Sequence, residues 1–600
     1  MNLKLSPNRK TGRTYLSIVR GYRDKETGKA RATTIKSLGY LDELEKLYPD
    51  PIAHFREVAR QMTEEHDAKR FTTLSLNLDE TLPPDVDLSK NLGYAAILRV
   101  FYELDLQRFF DNASRSKRFG FNSGSIMALL VISRILSPGS KKKAFEQKGR
   151  YFERFDFSLA DVYRALSHFS SISKATQRHI NSRIMDLYGR DTHIVYYDVT
   201  NFYFEINDED EGDGDLRKRG VSKEHRKDPI VQMGLAMDAD GIPLHYELFP
   251  GNIPDVSTFR DVIGEVRRNY NTGRIIVVAD MGLVSGDNIF YLTGGEKKEK
   301  TNNGYVFSFS VRGGAHAFQQ YVLDPTDYRG MNGEPLTPDA EFMVKSRCCA
   351  RQINVTQKDG SIAKKTVYEK QVAFWSKKYA LRARAEREKV LLKAAAIIRN
   401  PGQYSRTTSY GAAKYIRGIS FDKKTGEVIQ SAEHPVLDAD KIAHDALFDG
   451  YYAIVTSESS LSHMEIIDIY RGLWEIEETF SIAKGTLESR PVYLSLEDRI
   501  EAHFLSCFIA LVIMRLLQKL TGRRFSCDVI VDCLNRINCI NEDDNLYLFG
   551  YRDKVSDTIG EALGIDFTKK RMLLSEIKSL LARCKEPSLP VQKKSRNRLK

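Results

Sequence analysis

The sequence predicts an α/β protein, with a sheet that opens as antiparallel strands, continues through a parallel crossover, and sits between helical regions. Three observations predict it. HIVYYDVTNFYFE (residues 193–205) and IVQMGLAMDADGIPLHYELFPGN (230–252) are rich in β-branched and aromatic residues, and the second pivots on the hairpin pair Asp240 and Gly241. DVSTFRDVIGEVRRNY (255–270) carries a helical period. RIIVVAD (274–280) is a short continuous apolar run ending in a carboxylate, as in a buried strand. Three strands, a helix and then a buried strand is the order of a sheet that adds a parallel strand by crossover.

Tyr15 to Leu44 reads as two short strands around the turn DKETGK, with basic residues on either side, so residues 1–80 form a small basic β unit with a helix. From about Asn91 to Tyr188 the period becomes helical, as in YAAILRVFYELDLQRFF and SIMALLVISRIL, with the basic connectors SRSKR and GSKKK between helices. This region, 85–188, reads as a DNA-binding helical region and equally as an ordinary solvated bundle. The α/β domain spans 190–495. After Tyr305 it turns irregular and charged, through VFSFSVRGG and the helix-like WSKKYALRARAEREKVLLKAAAIIRN, which marks an insertion at about 310–445 before the strand GYYAIVTSE. Residues 496–600 are a helical C-terminal region, with HFLSCFIALVIMRLLQKL and the basic tail PVQKKSRNRLK.

Composition bounds the function class. The 91 Lys and Arg against 80 Asp and Glu give a net charge of +11, which leans toward a polyanionic partner. Seven cysteines in so long a chain suit a reducing compartment, and Cys527, Cys533 and Cys539 lack the CxxC pairs or histidines of a zinc site. No apolar run resembles a signal peptide, and Phe504–Met514 falls short of the roughly 20 residues of a membrane span. The expectation is a soluble, cytoplasmic protein. No P-loop, GxGxxG or GxSxG elbow is present, which disfavours a kinase, a Rossmann dehydrogenase and a serine hydrolase.

The candidate chemistry lies in carboxylates. Asp198 alternates with Ile194, Tyr196, Thr200 and Phe202 on one strand face, where a charge needs a partner or a metal. Asp280 ends its strand, where α/β sheets present ligands, and taken alone it also reads as the cap of the next loop. The third group comes from YRGLWEIEETFSIAKGTLESRPVY (470–493), read as one helix. At ~100° per residue, Ile469, Leu473, Ile476, Phe480, Ala483 and Leu487 form its apolar stripe. Tyr470, Trp474, Glu477, Ser481 and Lys484 share the edge beside it, while Glu475 and Glu478 are expected on the solvated side. A bridge from Glu477 to Arg471 or Lys484 remains the alternative. Three such carboxylates suit two Mg²⁺ ions, which prefer oxygen ligands, water and phosphate.

YDVTNFYFE, VVADMGLVSGDNI and the spacing of Tyr470, Glu477 and Lys484 resemble the DDE transposases of the IS4 group. YLSIVRGYRD, TTIKSLGYLDEL, GNIPDVSTF and GLWEIEETFSIAKGTLESRPVY make the chain most similar to the IS1634 branch. The resemblance implies a ribonuclease H-like catalytic domain with a largely β insertion. It makes Asp198, Asp280 and Glu477 the catalytic, metal-binding triad for two Mg²⁺ ions, with Mn²⁺ as substitute, and Tyr470 and Lys484 contacts to transposon-end DNA. Leu473 stands where the wider group has Arg, so Arg471 or Arg490 is expected to supply that charge, and Trp474 reads either as a stacking platform for an unpaired base or as a core-edge residue. The loop Leu216–Lys227 is basic and follows the acidic NDEDEGDGD; the two read equally as a phosphate-contacting surface and as a self-paired pair of loops. The implied activity is binding of terminal inverted repeats, hydrolysis at the element ends and transfer of 3′-OH ends to target DNA, by a homodimer at the prokaryotic nucleoid. A ribonuclease H-like nuclease without strand transfer and a catalytically silent DNA-binding derivative are the alternatives.

Overall fold

The computed structural model of the chain describes residues 1–586 except 9–11, 24–29, 69–78, 80, 83, 85, 118, 206–214, 222–227, 271, 295–302, 338, 400–409, 422–427 and 544. Contacts divide it into two units, Met1–Asp87 and Leu88–Lys600. In the first, β1 (Asn2–Pro7), β2 (Thr14–Arg23) and β3 (Ala30–Tyr40) form an antiparallel sheet in that order, followed by α1 (Leu41–Leu44) and α2 (Pro51–Ala68). Alternation along β2 turns Leu16 and Ile18 inward, and Leu16 packs with Leu44 and Phe55 as a small core. The sequence shows β2 and β3 but not β1, a six-residue strand half of whose pattern is polar. The turn DKETGK lies outside the described residues.

The second unit begins with β4 (Ser89–Asn91) and the helices α3 (Tyr94–Glu103), α4 (Leu106–Ser114), α5 (Ser123–Leu136), α6 (Lys141–Glu146), α7 (Leu159–Ser171) and α8 (Ser173–Tyr188). There follow β5 (Ile194–Tyr203), β6 (Ile230–Met237), β7 (Pro243–Pro250), α9 (Asp255–Asn269), β8 (Ile276–Ala279), α10 (Gly286–Leu292) and β9 (Gly304–Phe309). Next come α11 (His316–Leu323), β10 (Phe342–Thr356), β11 (Ile362–Ser376), α12 (Lys377–Arg399), α13 (Tyr410–Ala413), β12 (Ile416–Phe421), β13 (Val428–Leu437), α14 (Ala439–Ala446) and β14 (Tyr451–Thr456). The chain ends through α15 (His463–Arg471), α16 (Trp474–Ser481), α17 (Glu497–Leu520), α18 (Cys527–Arg536), β15 (Asn538–Asp543), β16 (Leu546–Phe549), α19 (Lys554–Leu563), β17 (Arg571–Leu573) and α20 (Leu574–Cys584).

Eight strands form one sheet in the order β10-β11-β14-β9-β8-β5-β6-β7, in which β8 runs parallel to both β5 and β9 and the other pairs are antiparallel. Both faces of the central strands are covered. Tyr196, Phe202, Ile276 and Val278 face a core shared with the helices on either flank of the sheet, whereas Val195, Tyr197, Val277 and Ala279 pack with Phe259, Val262 and Ile263 of α9. This is why RIIVVAD lacks alternation in polarity: β8 has no wet face. The compositional changes near 188 and 496 are therefore changes of secondary structure, because α5, α7 and α17 enter the same core as β5 and β6. α17 is long and apolar enough to cross a membrane by length and composition, which the eleven apolar residues read in sequence did not indicate, but nearly all of that stretch is buried against protein.

Three expectations change. The stretch after Tyr305 read as irregular supplies β9, a central strand. The insertion is not largely β: β10 and β11 extend the main sheet and β12 pairs with β13, but α11, the 23-residue α12 and α14 lie among them. Residues 470–493 are not one helix. α15, started by a capping box between Ser462 and Glu465, ends at Gly472, and α16 passes into a π-helical turn at Ile482–Thr486. The cysteines Cys527, Cys533 and Cys539 are buried thiols pushed up to about 12 by burial. The acidic loop at 207–214, the basic stretch 222–227 and the basic tail lie outside the described residues.

The β6–β7 hairpin is fixed by a buried ion pair. Arg190 donates to Asp238 at 2.6 Å, to the carbonyls of Ile242 and Pro243, and to Asn181, while Asp238 accepts from the amides of Asp240 and Ile242. Both ionic side chains are almost wholly buried. Arg190→Ala strands the Asp238 charge, and an urea-unfolding midpoint shift equivalent to about 3–5 kcal/mol is expected. Arg60→Ala, at an exposed pair in α2, should leave the midpoint close to that of wild type.

Candidate active site

Register places the two aspartates side by side. β5 and β8 pair in parallel with Tyr196 opposite Val278, so two residues further along Asp198 and Asp280 stand abreast at the carboxyl end of β8. With a side-chain period of two, both share the sheet face of Tyr196 and Val278, which is the face covered by α15 and α16. Asp198 is half-buried and Asp280 exposed.

Asp280 is held by three donors on one oxygen. Its Oδ1 accepts from Ser308 Oγ at 2.6 Å, from the Met281 amide at 2.7 Å and from the Tyr470 hydroxyl at 3.3 Å. Ser308 belongs to β9, the neighbour of β8, and Tyr470 to α15. Burial keeps the Tyr470 hydroxyl protonated well above its usual range, and the nearby Asp280 and Glu477 charges add to this, so Tyr470 remains a donor. Glu477, exposed on α16, is thus within electrostatic reach of the group that holds Asp280. Among the described residues Glu477 makes no ion pair. Arg471 pairs with Asp468 at 3.1 Å, so the alternative of a bridge from Arg471 to Glu477 is not seen among the described residues.

The edge read from the sequence is present despite the break in the helix. Trp474, Glu477 and Ser481 are exposed, Tyr470 and Lys484 half-buried, and Leu473, Ile476, Phe480, Ala483 and Leu487 are in the core. Lys484 Nζ lies 5.6 Å from the centre of the Phe202 ring, which is on the Asp198 face of β5. Arg490 lies over Tyr203 at the end of the same strand. Trp474 is 54% exposed, which settles it as a surface ring rather than a core edge.

Glu475 and Glu478 are not solvated as expected. Glu475 is buried and ion-paired to Arg515, with Arg523 at 2.6 Å, and Glu478 accepts from Arg515 at 2.8 Å. Arg515 also donates to the Gly241 carbonyl at 2.9 Å, and Arg523 to that of Asp240, so the tip of the β6–β7 hairpin and the glutamate helix grip the same guanidinium. The helical wheel treats each side of the helix as core or water, and it has no place for a cation arriving from α17. A signal was available: Arg515 interrupts the apolar run of α17 and a charge there requires a partner. Ser308 had no such signal, since its partner is 28 positions away in sequence.

The glycine at position 472 has a steric cause. The Tyr196 hydroxyl donates to the Ile469 carbonyl at 3.1 Å, and a Cβ on residue 472 would overlap that hydroxyl. Tyr196 thereby anchors the helix pair to β5, and burial and then the Glu475 charge push its hydroxyl up to about 12. The donor set of Asp198, Asp280 and Glu477 is all hard oxygen, as Mg²⁺ requires. Among the described residues no three His, Cys, Asp or Glu side chains converge as a formed metal site, so the fit is one of chemistry and shared face.

Gly472→Ala is expected to lower stability by roughly 1–3 kcal/mol through overpacking against Tyr196. Combining it with Tyr196→Phe should recover part of that loss in thermal melts, because both changes act on one contact.

The IS1634 family transposase N-terminal domain matches residues 3–73, and the transposase DDE domain matches residues 211–513, a span that holds Asp280 and Glu477 and begins after Asp198. No curated protein matches the chain. With a first aspartate and a second abreast on parallel strands, a glutamate helix across their face, and half of the chain matched by the DDE domain, the protein belongs to the DDE transposases, in the IS1634 family.

Proposed function

We propose that the chain binds the terminal inverted repeats of an insertion sequence, hydrolyses the phosphodiester at the element ends and transfers the 3′-OH ends to target DNA. The observation that carries this is the pairing of Asp198 with Asp280 across β5 and β8, with Glu477 on the helix that covers that face. This strand arrangement supports the reading of a ribonuclease H-like catalytic domain. Asp198, Asp280 and Glu477 would hold two Mg²⁺ ions, or Mn²⁺ in their place, and bound cations of this kind activate an attacking oxygen and stabilise the leaving one.

The protein's own groups do the positioning. Ser308, Tyr470 and the Met281 amide all bond Oδ1 of Asp280, which leaves Oδ2 without a hydrogen bond among the described residues. Arg515 and Arg523 neutralise Glu475 and keep α16 against the sheet, so that Glu477 stays on the exposed edge. Trp474 on that edge would stack on a base, and Lys484, Arg471 and Arg490 would contact phosphates of double-stranded DNA. Synapsis of two ends calls for a homodimer.

The test is a cleavage and joining assay with Mg²⁺ or Mn²⁺ on DNA bearing the element's own ends, comparing wild type with Glu477→Gln. Both should bind the ends, and only wild type should nick at the repeat boundary and join the 3′ ends to target, the variant losing on the order of 10³-fold or more in rate. Cutting without joining would make the protein a nuclease, and equal cutting by the variant would remove Glu477 from the triad.

A further inference from the structure

A cavity of about 180 Å³ opens beside the carboxyl end of the glutamate helix, and basic side chains from three elements line it: Arg134 of α5, Lys141 of α6, His503 of α17, and Arg490. Three of these are in the interior. Arg134, Lys141 and His503 are each at least nine-tenths buried. Lys141 Nζ lies 2.8 Å from His503 Nδ1, and His503 Nε2 lies 3.1 Å from the Ser489 carbonyl. The carbonyl can only accept, so Nε2 carries the proton, Nδ1 is the acceptor, and Lys141 donates to it. That uses one of three donor positions on the ammonium.

Glu488, exposed, is the carboxylate residue among those lining the cavity. Among the described residues neither Arg134 nor Lys141 forms an ion pair, and the Arg134 guanidinium is spent on the carbonyls of Leu487, Glu488 and Gly139. Burial, then the Arg134 charge, pulls Lys141 down to about 7, and burial with the Lys141 and Arg134 charges holds His503 well below its usual range. A buried amine that forms no ion pair among the described residues is an expensive thing to keep in a core. A core hydrogen bond to His503 would be served as well by a neutral side chain.

The location says which anion. Arg490 stands at the cavity and over Tyr203, the last residue of β5, the strand of Asp198. Leu487 and Glu488, held by Arg134, directly follow the π-helical turn that carries Lys484. Tyr163 and the largely exposed Tyr493 form aromatic walls. Charged donors at the floor, an arginine beside them and aromatic walls match a phosphate flanked by a base. We propose that this cavity is a phosphate site that takes one backbone phosphate of a DNA strand running along the exposed edge of the glutamate helix. It rests on the transposase reading only in taking DNA as the ligand.

The test uses the full chain and a fluorescent single-stranded oligonucleotide, with anisotropy read in EDTA across a range of KCl. Lys141→Met and Arg490→Gln are each expected to weaken binding about tenfold and to lower the salt slope by about one contact, ~0.7 on single strands. Lys141→Met should not lower the melting temperature, since it removes a buried amine. Wild-type affinity and slope in both variants would overturn the proposal, as would a lower melting temperature for Lys141→Met with unchanged binding, which marks a core hydrogen bond. If Lys141→Met does not fold, Lys141→Gln takes its place in every arm, since Arg490 alone also serves the phosphate contacts proposed above. Stabilisation of wild type but not Lys141→Met by inorganic phosphate, with oligonucleotide binding unchanged, would assign the cavity to free phosphate and overturn the strand. Since neither cations nor cleavage enter the readout, a chain that binds through Lys141 yet never cuts loses the transposase reading and retains this site.

Discussion

The buried guanidinium of Arg515 is the contact on which the geometry of the active face depends. It sits on α17, the helix at the centre of the core, and reaches in three directions, to Glu475 and Glu478 of α16 and to the Gly241 carbonyl at the tip of the β6–β7 hairpin. Gly241, at φ +68, lets the hairpin turn there, and a Cβ at that position would collide with both Arg515 and Glu475. The planar fork of arginine serves this junction where lysine would offer a single point charge. Removing it would leave two glutamates without their cation, one of them buried. The sheet and the glutamate helix would then lose their common reference.

The sheet contributes the other half of the geometry. A parallel pair sets residues at equal heights without a hairpin between them, and β8 reaches β5 only through α9 on the opposite face. That crossover leaves the Asp198 and Asp280 face open to the helices that follow β14. Tyr196 and Ser308 then act across elements: the first ties α15 to β5, the second ties Asp280 to β9. Asp280 is therefore positioned by neighbours from different parts of the chain.

Much of this was legible in the sequence where a single element carries its own signal. The alternation around Asp198, the unbroken apolar run before Asp280 and the stripe through Leu473 follow from periods of two and about 3.6. What depends on two distant segments was not legible. Glu475 and Glu478 look solvated on a wheel because the wheel contains no α17, and Ser308 is an ordinary strand serine until β9 lies beside β8. Gly472 looks like any helical glycine until the Tyr196 hydroxyl occupies the space of its missing side chain. The insertion misled for a related reason: β11, which carries β10 on its outer edge, is paired with β14 across about 80 residues, a register that local pattern does not encode.

The three glutamates of α16 show how charge is sorted at such a site. A helix edge bearing Glu475, Glu477 and Glu478 could be quenched wholesale by any arginine free to swing among them. Here the cations are fixed by burial and by backbone carbonyls: Arg515 on Gly241, Arg523 on Asp240. Their reach ends at Glu475 and Glu478, while Arg471 is occupied by Asp468. Glu477 is thereby left on the aspartate face with no ion pair among the described residues. An exposed carboxylate in water loses little by standing alone, but its charge and that of Asp280 both act on the Tyr470 hydroxyl, and a divalent cation would neutralise such a field better than a single lysine. The buried pairs and the unpaired glutamate are thus parts of one arrangement, in which two neutralised charges keep the third available.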